Sequence, residues 1–101
     1  MVTIQVQVDG LDVLTSRETG LGFRAAIERS LEADQEPVVL DFSSIRNATQ
    51  SCLDEMIGVL ILAHGPDVLQ RLRFRNCNPT VRSLIQFVIA DRLESKVPAA
   101  I

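Results

Sequence analysis

The sequence predicts an α/β domain of two layers, with about three helices packed mainly on one face of a mixed β-sheet of about four strands. Three observations predict it. Segments that alternate with a period of two, such as Val2-Thr3-Ile4-Gln5-Val6-Gln7-Val8, interleave with segments whose apolar residues recur at i, i+3 and i+4. The strand-like segments set polar residues (Thr3/Gln5/Gln7, Asp41, and Arg71/Arg73/Arg75) opposite their apolar neighbours. Each helical segment has one clear apolar stripe, so helices on one face and a more polar opposite face satisfy both patterns. At 101 residues the chain is a single domain, 1–101, and 47% apolar residues are enough for one core.

In chain order, residues 2–8 form the first strand and Asp9-Gly10 gives a hairpin-type turn signal before a second short strand at 11–14. Thr15 or Ser16 opens the first helix, and Thr15 with Glu18 fits a capping box. Phe23, Ile27 and Leu31, with Ala26, make its inward stripe. Gly20 and Gly22 cost about 1 kcal/mol each against Ala, and a small side chain there allows close helix–sheet approach. They are no dinucleotide fingerprint, because Ala25 stands where a third glycine would fall. Residues 33–37 are a polar loop and 38–42 a buried strand.

After a loop at 46–50, a second helix covers 51–64, with Leu53, Met56, Ile57, Leu60, Ile61 and His64 as its stripe. Gly65-Pro66 ends it. Val59 and Leu62 lie outside that stripe, so this helix is apolar nearly all round and is either deeply buried or partner-facing. Arg71, Arg73 and Arg75 alternate with Leu72 and Phe74 as a strand with one wet face. The arginine row is a solvated or edge-protecting feature, with an acidic partner as the other option. Asn78 caps a third helix and Pro79 begins it; Val81, Leu84, Ile85, Val88 and Ile89 are its stripe. Residues 95–101 are a short tail.

Several function classes are excluded or weakened. A net charge of −3, with no Trp or Tyr and only four Phe, argues against a nucleic-acid partner. Cys52 and Cys77, with the single His64, cannot make a four-ligand zinc site without carboxylates, so no metal and no cofactor is expected. Either thiol reads as a small buried residue. His64 reads as a helix-end cation or core-edge residue. No secretory signal pattern is evident, and the longest apolar run, Val59 to Ala63, is too short for a bilayer. A cytoplasmic protein with reduced thiols and no membrane contact is the default expectation. One histidine permits no Ser-His-Asp arrangement worth arguing, and no phosphate loop occurs, so the chain is not expected to be an enzyme.

Ser51 stands where the loop after the buried strand becomes a helix. Unpaired backbone N–H groups and the positive helix end meet there. Ser51-Cys52-Leu53-Asp54 fits a capping box, with Thr49 as a competing cap. The same electrostatics would favour a phosphate on Ser51, while Asp54 and Glu55 would oppose it. Adjacent helix residues diverge by about 100°, so Asp54 and Glu55 do not converge as a catalytic pair; they read as favourable first-turn charges.

The pieces Ser16-Arg17, Leu40-Asp41-Phe42, Gln50-Ser51-Cys52-Leu53-Asp54-Glu55 and Phe74-Arg75-Asn76-Cys77-Asn78-Pro79-Thr80-Val81-Arg82 together resemble the STAS domain of bacterial anti-sigma-factor antagonists. They resemble still more a STAS-like family of unassigned function. The resemblance spans about residues 13–93. It implies a cytoplasmic bacterial regulatory and signalling module that docks on an ATPase- or kinase-type protein partner and is released by phosphorylation at the start of the second helix. Carried over by position, the phosphoacceptor candidate is Ser51, and the partner-binding candidates are Arg46, Asn47, Thr49, Gln50, Asp54 and Glu55. The antagonists commonly carry Asp two residues before the acceptor and Gly after it, where this chain has Thr49 and Cys52. The alternative is a non-phosphorylated structural or oligomerisation subunit, a homodimer through the apolar side of the second helix.

Overall fold

The structure, a computed structural model, describes residues 1–96, with side chains through residue 94. The chain runs β1 (Val2–Gln5), β2 (Val13–Leu14), α1 (Arg17–Ala33), β3 (Val38–Asp41), β4 (Asn47–Ala48), α2 (Gln50–Leu53), a π turn (Asp54–Gly58), α3 (Val59–His64), a 3-10 turn (Pro66–Arg71), β5 (Leu72–Arg75) and α4 (Pro79–Lys96). Asp54 and Gly58 both keep right-handed helical backbone angles, so α2, the π turn and α3 are one unbroken central helix.

β1, β3 and β5 form a parallel sheet in that order, with β3 in the middle. Two crossovers build it, one through α1 and one through the central helix. Strand alternation separates two faces. Val2–Val38–Leu72 and Ile4–Leu40–Phe74 are the rows on the helix side, while Thr3–Val39–Arg73 and Gln5–Asp41–Arg75 line the other. Val38, Leu40 and Leu72 belong to the main core, joined by Val6, Leu14, Ile27, Phe42, Ile85 and the buried side of the central helix. Val39 is buried but stands apart from that cluster. Two layers with one more polar sheet face therefore hold, as the alternation predicts.

Strand pairing is looser than the expected four-stranded mixed sheet. Among the described residues five short strands make two parallel sheets, the second being β2 with β4. The antiparallel contact among the described residues is the isolated Val8–Leu11 bridge, closed by Gly10 at φ +72°. β2 does not return along β1 as a hairpin. Instead the Asp12 carbonyl accepts the N–H of Arg46 at 2.6 Å, and the Leu14 carbonyl accepts that of Thr49 at 2.8 Å. The expected loop at 46–50 thus contains a strand.

Three further expectations are corrected by tertiary contacts. The α1 cap is Ser16, whose Oγ accepts the Thr19 N–H at 3.1 Å, rather than a Thr15–Glu18 box. Gly20 allows a helix–helix rather than a helix–sheet approach: a Cβ there would run into the Cys52 carbonyl oxygen and crowd Cβ of Glu55. The arginine row is broken at its first member. Arg71 ends the 3-10 turn, and its guanidinium donates to the carbonyls of Leu31 (3.0 Å), Asp34 and Glu36 (3.0 Å), tying down the end of α1. Arg73 donates to the Gln70 and Leu72 carbonyls.

The central helix is buried rather than partner-facing over most of its length. Leu53, Met56, Ile57, Leu60 and Ile61 are fully buried, Val59 is half-buried, and Leu62 retains 38% exposure. α4 begins as predicted, with Asn78 Oδ1 accepting the Val81 N–H at 2.8 Å. It continues through Lys96, past the start of the expected tail, whose residues 97–101 lie outside the described residues.

The two glycines of α1 should respond oppositely to alanine. Gly20→Ala must displace backbone and is expected to lower unfolding free energy by about 1–3 kcal/mol. Gly22, with nothing within 4 Å of an added Cβ, should gain about 0.5–1 kcal/mol from the same change. Urea midpoints of the two variants check this, and equal shifts would contradict the packing described.

Candidate functional site

The helix start after β4 is positioned by Thr49. Its backbone is extended at φ −90°, ψ 153°, its N–H is held by Leu14, and its Oγ1 accepts the Cys52 N–H at 3.2 Å while donating to the Thr15 carbonyl. Cap and strand pairing are thus secured by one residue. The reading of Ser51 as the cap is corrected, because β2 pins the chain at Thr49 and the helix opens at Gln50. Ser51 is the second helical residue, exposed, and among the described residues no side-chain hydrogen bond holds its hydroxyl.

Ser51 shares a depression of about 330 Å³ with Arg17, Gln50, Asp54, Val88 and Asp91. The starts of α1 and α2 and the middle of α4 meet there. Arg17 belongs to the Ser16-Arg17 piece singled out in the sequence, though spacing alone gave it no site role.

Asp54 and Glu55 diverge, as adjacent helix positions must. Asp54 faces α4, where Arg92 donates through Nε to Oδ1 at 2.7 Å and through Nη2 to Oδ2. This is a two-pronged guanidinium–carboxylate pair, a strong and directional type. Gly58, one turn on, makes room for it, because a Cβ there would collide with Asp54 Oδ1 and approach Arg92 Cγ to 2.9 Å. Glu55 faces α1, where Arg24 Nη1 donates to its Oε2 at 2.9 Å and to its carbonyl at 3.3 Å. Both carboxylates are more than three-quarters covered. They are intramolecular clamps across the central helix, rather than the solvent-facing first-turn charges expected. Arg92, Arg24 and Gly58 had no sequence signal, since partners 31 to 38 residues away are set only by the fold.

Arg46, Asn47, Thr49, Gln50 and Ser51 are all exposed, with Ala48 half-buried among them. Arg46 pairs with Asp12, Nε to Oδ2 at 2.8 Å, and that hydrogen bond holds the Asp12 carboxyl below its ordinary range. The Arg46 carbonyl accepts from Asn78 Nδ2 at 2.7 Å, and Asn47 Oδ1 accepts the Ala48 N–H. The segment is anchored from beneath while its outer surface stays open. The predicted residues Arg46, Asn47, Thr49, Gln50 and Ser51 therefore share one surface, with Asp54 and Glu55 turned inward below it.

Other titratable groups behave structurally. Cys52 is buried, and burial pushes its thiol up despite the opposing Gly20 N–H. Burial likewise raises Cys77 against the nearby Arg82 charge. His64 Nε2 meets Glu28 Oε2 at 3.0 Å at the end of α3. Asp41 ties three strand ends together, accepting from the Ser43 N–H (2.9 Å), Asn76 Nδ2 (3.2 Å) and Gln5 Nε2 (3.4 Å). The Ser43 backbone bond, followed by Asn76, holds its carboxyl below the ordinary value. Among the described residues no group of three or more metal-ligating side chains forms a metal site, and no helix is long and apolar enough to cross a membrane.

Residues 20–82 match the family described as a STAS-like domain of unknown function (DUF4325). No curated protein and no solved structure matches the chain.

Two measurements follow from this geometry. Thr49→Ala should cost about 0.5–2 kcal/mol and Ser51→Ala less than about 0.5 kcal/mol in urea denaturation; the reverse order would return the cap to Ser51. Asp41 should titrate below 3.8 by carboxyl NMR. Since its folded value is the depressed one, its stabilising contribution is in place above the unfolded value and is lost as pH falls through the folded one. Asp41→Asn should remove that part of the acid sensitivity.

Proposed function

The chain belongs to the STAS-like domain family, and on that premise we propose that it is a regulatory protein–protein interaction module rather than an enzyme. It docks on an ATPase- or kinase-type protein through residues 46–51 in the bacterial cytoplasm, and phosphorylation of Ser51 switches that contact. The observation that carries this reading is the division of labour at the helix start. Thr49 supplies the cap, which leaves the exposed Ser51 hydroxyl unengaged among the described residues.

Electrostatics support the same reading. A phosphate on the second helical residue lies in the field of the helix N-terminus. Arg17 borders the same depression. Of the nearby carboxylates, Asp54 is already paired with Arg92, which reduces its repulsion, and the same guanidinium attracts Asp91. The alternative, a structural subunit that oligomerises through the central helix, has Leu62, Ala63 and part of Val59 as available apolar surface there.

Pull-down should recover one defined ATPase- or kinase-type partner. With that partner and ATP, mass mapping should place phosphate on Ser51. Ser51→Asp should change the affinity by about tenfold, equivalent to about 1.4 kcal/mol, with Ser51→Ala retaining the unmodified affinity. Phosphate found only elsewhere, or equal binding by both variants, would overturn the assignment of Ser51.

A further inference from the structure

The sheet has two edges of different character. β5 is guarded by the exposed Arg73 and Arg75, and charged residues along an edge discourage strand addition. The other edge, β1 with the three residues that follow it, carries no charge from Val2 through Val8. The N–H groups of Val2 and Val6 donate to Pro37 and Asp41, so the even-numbered residues bond inward to the sheet. Strand alternation then turns the backbone N–H and C=O of Thr3, Gln5 and Gln7 outward, where no strand pairs with them among the described residues.

The edge is also self-complementary. Read in either direction from Gln5, the segment runs apolar β-branched, polar, apolar β-branched: Ile4 mirrors Val6, Thr3 mirrors Gln7, and Val2 mirrors Val8. A two-fold axis at Gln5 would pair outward-facing residues only with outward-facing residues. It would also keep the apolar side chains of Val2, Ile4, Val6 and Val8 on one face. On that face a mainly apolar groove of about 380 Å³ runs between β1 and α1, lined by Ile4, Val8, Gly22, Phe23 and Ala26, with Gln7, Glu18 and Thr19 completing its lining.

We propose that β1 is a homodimerisation edge, on which β1 of a second copy pairs antiparallel about Gln5 and extends the sheet to six strands. Apolar side chains from the second copy cover the groove between β1 and α1. A two-fold interface brings the same patch of both subunits together, and the mirror symmetry of residues 2–8 meets that requirement without any charge facing its like. None of residues 46–51 lines this groove.

Sedimentation equilibrium of the intact chain should show a reversible dimer. Gln5→Pro should convert it to a monomer, because proline removes an outward N–H and is tolerated where an edge N–H faces solvent. Register is tested separately by oxidation in a background where Cys52 and Cys77 are replaced by Ala. Gln5→Cys should cross-link with itself, Thr3→Cys should cross-link with Gln7→Cys, and Thr3→Cys alone should not. Hydrogen-bonded antiparallel pairs stand about 5.5 Å apart at Cα, within disulfide reach. A monomer at all submillimolar concentrations, or a dimer that survives Gln5→Pro and fails to cross-link at Gln5, would overturn the proposal.

Discussion

The close contact between α1 and the central helix at Gly20 is the constraint on which the rest of the arrangement depends. With no side chain at that position, the two helices meet backbone to backbone beside the Cys52 carbonyl. The Arg24–Glu55 bridge then spans the same pair of helices one turn away. On the opposite side Gly58 makes the equivalent concession to α4, where Arg92 reaches Asp54. Two glycines and two arginines thus fix a central helix that is buried on nearly every side, and its position fixes where the start of α2 emerges.

That start is also fixed from the other direction. Thr49 belongs at once to the β2–β4 region and to the helix cap, so the strand pairing and the first turn are not independent. The exposed segment from Arg46 to Ser51 is rigidly footed through Asp12, Leu14, Thr15 and Asn78. A surface held in this way meets a partner without the ordering cost that a mobile loop would bring to the encounter.

Much of this fold is legible in the sequence because local periodicity and tertiary burial agree. The alternation of residues 2–8 settles into a strand that stops at Gln5, the run at 38–42 into Val38–Asp41, and the Asn78-Pro79 start into the predicted helix. The failures share a cause. Ser51 satisfies a local capping pattern, but β2 seizes Thr49 and starts the helix earlier. Arg71 fits an alternating strand by spacing, yet its long side chain is drawn to three free carbonyls near the end of α1. β2 is legible as part of the short strand at 11–14, whereas the two-residue β4 carries too little pattern to be seen, and with it the β2–β4 pairing. The candidate surface at 46–51 was legible as a segment, whereas the inward commitment of Asp54 and Glu55 to distant arginines was not.

The π turn at Asp54–Gly58 has a consequence for how the central helix divides its duties. Such a turn lodges an extra residue, which advances the angular phase of everything after it by about 100°. The first turn, bearing Gln50 and Ser51, is therefore aimed independently of α3, whose Leu60 and Ile61 are sunk in the core. One continuous rod carries two orientations, so the anchoring half can hold its azimuth while the outward half keeps another.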